Sequence, residues 1–200
     1  MVSEWMPNGS LRSFMRKHSL FDRIQLCVQL VGTLEYLHAR KIVHGDIKPD
    51  NVLMSNNHAP LFTDFGNAFL VYEASLQFLS TTFGTTFRYA APEVLIGVSD
   101  KPSTEADIYS FGMTVLEVVT GEVPFANYKP AQICIAVGVK GETPERPDLS
   151  LLIPKKALED ELWGLLTSCW DSKPNHRPSS SELRTQLTSI WERLGHASAN

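Results

Sequence analysis

Apolar residues recur at three- and four-residue steps through Phe21, Ile24, Cys27, Val28, Val31, Leu34 and Leu37, with Asp22, Arg23 and Glu35 between them. That spacing predicts a long amphipathic helix from Leu20 onward. After His44 the pattern shortens to Val52-Leu53-Met54 and Leu61-Phe62-Thr63 around the polar stretch Ser55-Asn56-Asn57-His58-Ala59-Pro60, the signature of a small hairpin. The run Ile108 to Val119 is apolar nearly all round and stops at Gly121, as expected of a helix buried in the middle of a domain and ended by glycine. Further helices are expected from Pro130 to Val137, Lys155 to Trp170 and Ser181 to Leu194. Met1 to Met6 read as the end of a strand, turned by Pro7-Asn8-Gly9, and residues 196–200 as a polar tail. The pattern describes an α+β domain that is mainly α-helical, without internal repeats.

Composition narrows the class. The 200 residues are 43% hydrophobic and 20% charged, with 18 Lys+Arg against 22 Asp+Glu and a net charge of −4. One globular domain of this length buries roughly 70% of its unfolded surface and needs no disulfide or metal to hold a core. The acidic balance excludes the basic face that nucleic-acid binding demands. Cys27, Cys134 and Cys169 are odd in number and share no CxxC spacing, which suits buried thiols in a reducing, intracellular setting, the cytoplasm being expected. The most apolar run is interrupted by Glu117, so no membrane span is expected, and the first residues resemble no signal peptide.

The candidate chemistry lies in Val43-His44-Gly45-Asp46-Ile47-Lys48-Pro49-Asp50-Asn51, an acid, a cation and an amide packed into one loop between the long helix and the hairpin. If the hairpin pairs Val52 with Thr63, Asn51 and Asp64 face each other with Cβ atoms about 4.5–5.5 Å apart. An amide oxygen and a carboxylate so placed can share a hard cation such as Mg²⁺. Asp64 is followed by Phe65 and Gly66, an apolar anchor and a permissive backbone position. Taken singly, each motif is far more often a set of ordinary turn residues than a site of chemistry.

Taken in order, the motifs resemble the C-terminal lobe of eukaryotic protein kinases. HGDIKPDN (44–51) resembles the catalytic loop, Asp64-Phe65-Gly66 the metal motif and Ala91-Pro92-Glu93 the end of the activation segment. Gly84-Thr85-Thr86-Phe87-Arg88-Tyr89 resembles the strip that faces the substrate, Asp107 to Gly112 the start of the central helix, and Cys169-Trp170 through Arg177-Pro178 the late CW…RP element. The resemblance implies a kinase-like fold in which residues 1–6 are the hinge and the end of an N-terminal-lobe strand and residues 7–195 the C-terminal lobe, with the N-terminal β lobe missing. It implies ATP and Mg²⁺ as cofactors and a protein substrate. Asp46 then orients the substrate hydroxyl and accepts its proton, and Lys48 neutralises charge on the γ-phosphoryl group and holds Thr86. Asn51 and Asp64 hold Mg²⁺. Glu4 and Met6 grip adenine through the hinge backbone beside Ser3 as gatekeeper, with Leu53 beneath the ring. Glu93 and Arg177 form a buried ion pair, Asp107 receives backbone N–H groups of the catalytic loop, and His44 packs under Phe65. Lys48 resembles the Ser/Thr-specific loop while the CW…RP element is commonest in tyrosine kinases and their relatives, so a tyrosine-kinase-like Ser/Thr kinase is expected.

Two departures from the family pattern stand out. Gly45 replaces the usual Arg, so Ser80, Thr81 and Thr82 lack their ordinary partner once phosphorylated, Arg88 being the remaining basic candidate. The 200 residues also lack a glycine-rich loop, a β3 lysine and an αC glutamate, from which a chain inactive by itself is expected, with an apolar face left for the missing N-terminal lobe or an interacting protein. Two other readings are a stand-alone lobe serving as a scaffold module and a small-molecule phosphotransferase. Retention of Asp46, Lys48, Asn51 and Asp64 together argues against the first, and the APE and CW…RP elements against the second.

Overall fold

The computed structural model describes residues 5–19, 21–70, 86–97 and 103–196. Ser10 caps α1 (Leu11–Lys17) by accepting from the Ser13 N–H, and Leu11 and Phe14 turn inward. The pattern of apolar positions did not announce this helix, because two inward residues in seven are too few to establish a period. Asp22 caps α2 (Arg23–Ala39), accepting from the Gln25 N–H at 2.8 Å. The buried stripe of α2 includes Leu26 and Leu30, while Val28 is only half-buried. The expected stripe is therefore too narrow: α2 is packed by more than one neighbouring helix and buries a wider face.

Beyond α2 lie β1 (Ile42–Val43), β2 (Val52–Met54), β3 (Pro60–Phe62) and β4 (Phe69–Leu70). β1 pairs with β4 and β2 with β3, both antiparallel. The register of the second hairpin is Val52↔Phe62, one residue from the expected Val52 to Thr63. Asn51 is consequently joined to Thr63, whose N–H donates to the Asn51 carbonyl at 2.9 Å. Residues 5 and 6 are not in a strand. The turn after them is stitched to β2 instead, through a Ser10↔Leu53 bridge and the Met54 N–H on the Gly9 carbonyl at 3.0 Å.

A short α3 (Pro92–Leu95) precedes α4 (Thr104–Thr120), which is buried from Asp107 through Val119 apart from Ser110. Gly121 closes α4 in the left-handed region at φ +80°, where glycine alone is unstrained, and Arg23 of α2 donates to the Val118 carbonyl at 2.7 Å. The helix expected from 130 to 137 is instead α5 (Pro130–Ile133) running into a wide π-turn over Cys134–Val139, which presses Gly138 against Ile96. α6 (Lys156–Cys169) and α7 (Ser180–Trp191) follow, the latter opening on a Ser179/Glu182 capping box. α7 packs on α2 and α6 on α4, so α2 and α4 form the interior of a helical bundle. No described helix is long and apolar enough to cross a membrane. Cys27 and Cys169 are buried and Cys134 half-buried, and burial pushes the Cys169 thiol up to about 12. Residues 197–200 of the expected tail lie outside the described part.

Arg177 joins the segment end to the bundle. Its Nη1 and Nη2 donate to the two oxygens of Glu93 at 2.7 and 2.8 Å, Nη1 also reaches the Glu105 carbonyl at 2.9 Å, and Nε the Asp171 carbonyl at 3.0 Å. The Arg177 side chain is fully buried.

Two stability outcomes follow. Replacing Gly112 puts a Cβ 2.7 Å from Cys169 Cβ and 2.8 Å from Trp170 Nε1. The helix-propensity gain of alanine is about 1 kcal/mol, but overpacking costs about 1–3 kcal/mol, so Gly112→Ala should come out destabilised in urea titration; an unchanged midpoint would contradict the packing. Arg177→Met leaves Glu93 without its partner and should cost about 3–5 kcal/mol, of which the double variant Arg177→Met/Glu93→Met regains a part. Equal losses in the single and double variants would mean that the charge pairing is not what matters.

Candidate active site

The site is built on a carboxylate in α4. Asp107, 1% exposed, accepts the N–H of His44 at 2.8 Å and of Gly45 at 2.9 Å, and His38 Nε2 lies 3.0 Å from its Oδ2. These bonds fasten the loop after β1 to the central helix, as expected for Asp107. Gly45 sits at φ +76°, a conformation that residues with a Cβ adopt at a cost.

His44 is fully buried, with its ring 5.3 Å from Phe62 and 5.0 Å from Phe65. Burial holds its pKa below the ordinary imidazole value against the opposing charges of Asp107, Asp46 and Asp64. The neutral tautomer follows from the partners. The Asp46 N–H donates to Nδ1 at 3.3 Å, so Nε2 carries the proton and donates to the Thr63 carbonyl at 3.0 Å. His44 is a packing and positioning residue, in accord with its expected place under Phe65.

Asp46, Lys48 and Asn51 are brought together and buried. The Lys48 ammonium donates to Asp46 Oδ2 at 2.7 Å and to Thr86 Oγ1 at 2.9 Å, the reach to Thr86 expected from the sequence. Asn51 is placed by a 3₁₀ turn over Pro49–Asn51, and its Nδ2 donates to Asp46 Oδ2 at 2.8 Å and to the Asp46 carbonyl at 2.9 Å. Both donors converge on one carboxylate oxygen. Asp46 Oδ1 accepts no hydrogen bond among the described residues.

Asp64 does not oppose Asn51 in the hairpin, as the expected register required; it lies one step beyond Thr63. The chain turns there through the left-handed region at φ 60°, ψ 63°, and the side chain is exposed. Gly66 allows this turn: a Cβ at that position would lie 3.2 Å from Asp64 Oδ1. Asn51 points its Nδ2 at Asp46, which leaves its amide oxygen outside that pairing; an amide oxygen and a carboxylate such as that of Asp64 are both donors of the kind hard cations prefer. Among the described residues no group of three His, Cys, Asp or Glu side chains could hold a metal, so a cation here needs further oxygens from a ligand.

Leu53 is half-buried in β2, and the Met6 carbonyl accepts the Gly9 N–H at 3.1 Å. Glu4, Ser3, Ser80, Thr81 and Thr82 lie outside the described residues. Trp5 is 83% and Phe65 45% exposed.

One cluster was missed in the sequence. Arg12 of α1 donates from Nε and Nη2 to the two oxygens of Glu117 at 3.0 and 3.1 Å, and its Nη1 lies 3.1 Å from Asp50 Oδ2. Tyr89 bridges Arg12 and Glu117 through its hydroxyl, and burial raises its pKa. The signal was Glu117 itself, a charge inside an otherwise apolar helix, which demands a buried partner.

Comparison with known proteins places this geometry. The family model described as "Protein kinase domain" matches residues 1–187. The chain is 32% identical to a protein kinase and PP2C-like domain-containing protein of Arabidopsis thaliana, over 96% of this chain and 31% of that protein. It is 30% identical to serine/threonine-protein kinase STY17 of the same plant, over 98% of this chain and 33% of the relative. It is also 30% identical to the dual specificity protein kinase splA of Dictyostelium discoideum, over 94% of this chain and 8% of the relative. The chain thus spans about a third or less of these relatives. With that match across nearly its whole length, and with Asp46, Lys48 and Asn51 gathered under an Asp107-held loop, the chain belongs to the protein kinase family.

Proposed function

We propose that these residues form the catalytic half of a Ser/Thr protein kinase, which transfers the γ-phosphoryl group of ATP to a protein hydroxyl. The observation that carries this reading is the convergence of Lys48 Nζ and Asn51 Nδ2 on Asp46 Oδ2, with Oδ1 left open. Asp46 Oδ1 takes up the proton of the substrate hydroxyl while that oxygen bonds to the γ-phosphorus and the bond to the β-phosphate oxygen breaks. The Lys48 ammonium offsets charge on the transferring oxygens and keeps Thr86 beside the acceptor. The Asn51 oxygen and the Asp64 carboxylate are the groups that would hold Mg²⁺, which would neutralise phosphate charge there. Met6 and Leu53 are the described residues that border adenine in this reading.

Lys48 two residues after Asp46 supports Ser/Thr over Tyr, and so does the printed name of the STY17 relative; the dual-specificity relative keeps Tyr as the competing outcome. The exposure of Trp5 and Phe65 supports a second body seated there, the N-terminal lobe being the first choice, so the chain by itself transfers phosphate poorly.

The test is transfer of labelled γ-phosphate to protein acceptors by the chain fused behind an N-terminal kinase lobe, followed by phosphoamino-acid analysis. Phosphoserine and phosphothreonine should dominate. Mainly phosphotyrosine would overturn the specificity, and micromolar ATP binding without transfer would favour the scaffold module.

In the same assay Asp46→Asn should lower kcat by about 10²–10⁴, the usual worth of a positioned general base. Retained activity in that variant would remove Asp46 from the mechanism.

A further inference from the structure

Arg88 is the one basic residue in the described stretch 86–97, and the site as described above does not use it. It does not stand free to meet a phosphate. Its Nη1 donates to the carbonyls of Pro124, at 2.9 Å, and of Phe125, and its Nη2 donates to the Tyr128 carbonyl at 2.9 Å. All three acceptors lie in the connection between α4 and α5. That connection is held in an unfavourable shape: Phe125 sits at φ 53°, in the left-handed region that a bulky side chain avoids, with its ring 5.5 Å from Tyr128 in an edge-on pair. A guanidinium whose donors form a fixed planar fork can tie carbonyls on both sides of such a kink, which an ammonium cannot do to the same extent.

The other end of the same turn touches the catalytic lysine. Thr86–Arg88 is a single 3₁₀ turn. Thr86 at its start accepts from Lys48 at 2.9 Å, and Lys48 in turn holds Asp46 at 2.7 Å. The three residues Thr86, Phe87 and Arg88 therefore connect the 124–128 loop to Thr86 Oγ1, the oxygen that accepts from Lys48. In a turn so short, displacement at one end moves the other, because Phe87 alone separates them.

We infer that Arg88 is a positioning residue: by clamping the 124–128 loop it fixes the Thr86–Arg88 turn so that Thr86 Oγ1 stays on Lys48 and the strip beside it stays in register with Asp46. The inference deepens the kinase reading and rests on it for the meaning of Lys48, but the bond it concerns can be followed without turnover. It also assigns Arg88 a role other than phosphate docking. A phosphate on the activation segment could recruit it only by displacing three carbonyls.

The test is amine acylation of the 200-residue chain by acetic anhydride, with labelling at each lysine read by mass spectrometry. Lys48 is 5% exposed and should label slowly. Thr86→Val removes the bond directly and calibrates the response. Arg88→Ala should raise Lys48 labelling about tenfold, the scale set by losing one charged hydrogen bond, while the exposed Lys17 and Lys129 stay as in the parent chain. Arg88→Lys, the milder change and the one to rely on if Arg88→Ala does not fold, should give an intermediate rise. A folded Arg88 variant with Lys48 as protected as in the parent overturns the inference, and so does a Thr86→Val chain without any rise. A uniform rise at every lysine signals general loosening and overturns it as well. Absence of phosphotransfer in the parent chain would sink the kinase reading and leave the labelling comparison intact, so the two failures are distinguishable.

Discussion

Asp107 is a carboxylic side chain at a position 1% exposed, and the loop from His44 to Asn51 is arranged around it. A carboxylate taken out of water is costly unless its oxygens are bonded. Here the donors are two successive backbone N–H groups, those of His44 and Gly45, together with the His38 ring. The cost of burying the charge thus becomes a constraint on the chain. The loop must pass over the start of α4 with those N–H groups turned inward, and that path delivers Asp46 and, through the 3₁₀ turn, Asn51 to one place. The placement of Asp46 and Asn51 thus depends on a residue that stands behind the loop, in α4.

The same logic recurs at two more points. Glu117 inside α4 is answered by Arg12 and Tyr89, and Glu93 by Arg177. Each pair ties a distant stretch of chain to the bundle: α1 to the central helix in the first case, the segment end to the last third of the chain in the second. Buried ion pairs contribute little net stability against apolar substitutes, but breaking one partner is severe. Their effect is to fix which surfaces meet, in a core that α2 and α4 hold together by apolar contact.

What the sequence reveals depends on whether the signal is local. The long helices α2, α4, α6 and α7 are legible because their periodicity is sustained, and Gly121 marks the end of α4. The hairpin is legible but its register is not: sliding one residue leaves the composition of the triplets unchanged, and only the structure shows Val52 opposite Phe62. That Asp46, Lys48 and Asn51 lie close together is legible from their nearness within one loop. The Arg12 cluster is not, since it joins residues about a hundred positions apart through a helix too short to declare itself. Neither is the widening after Ile133, which answers to the close approach of Gly138 to Ile96.

The claim on which the rest stands is that Asp107 fastens the loop after β1 to α4. Native-state amide hydrogen exchange resolved at single residues measures it directly. The His44 and Gly45 amides should exchange as slowly as the interior amides of α4, opening only with the global transition. Rapid exchange at His44 and Gly45 while α4 remains protected would contradict the account, because the loop would then open without the helix that is said to hold it.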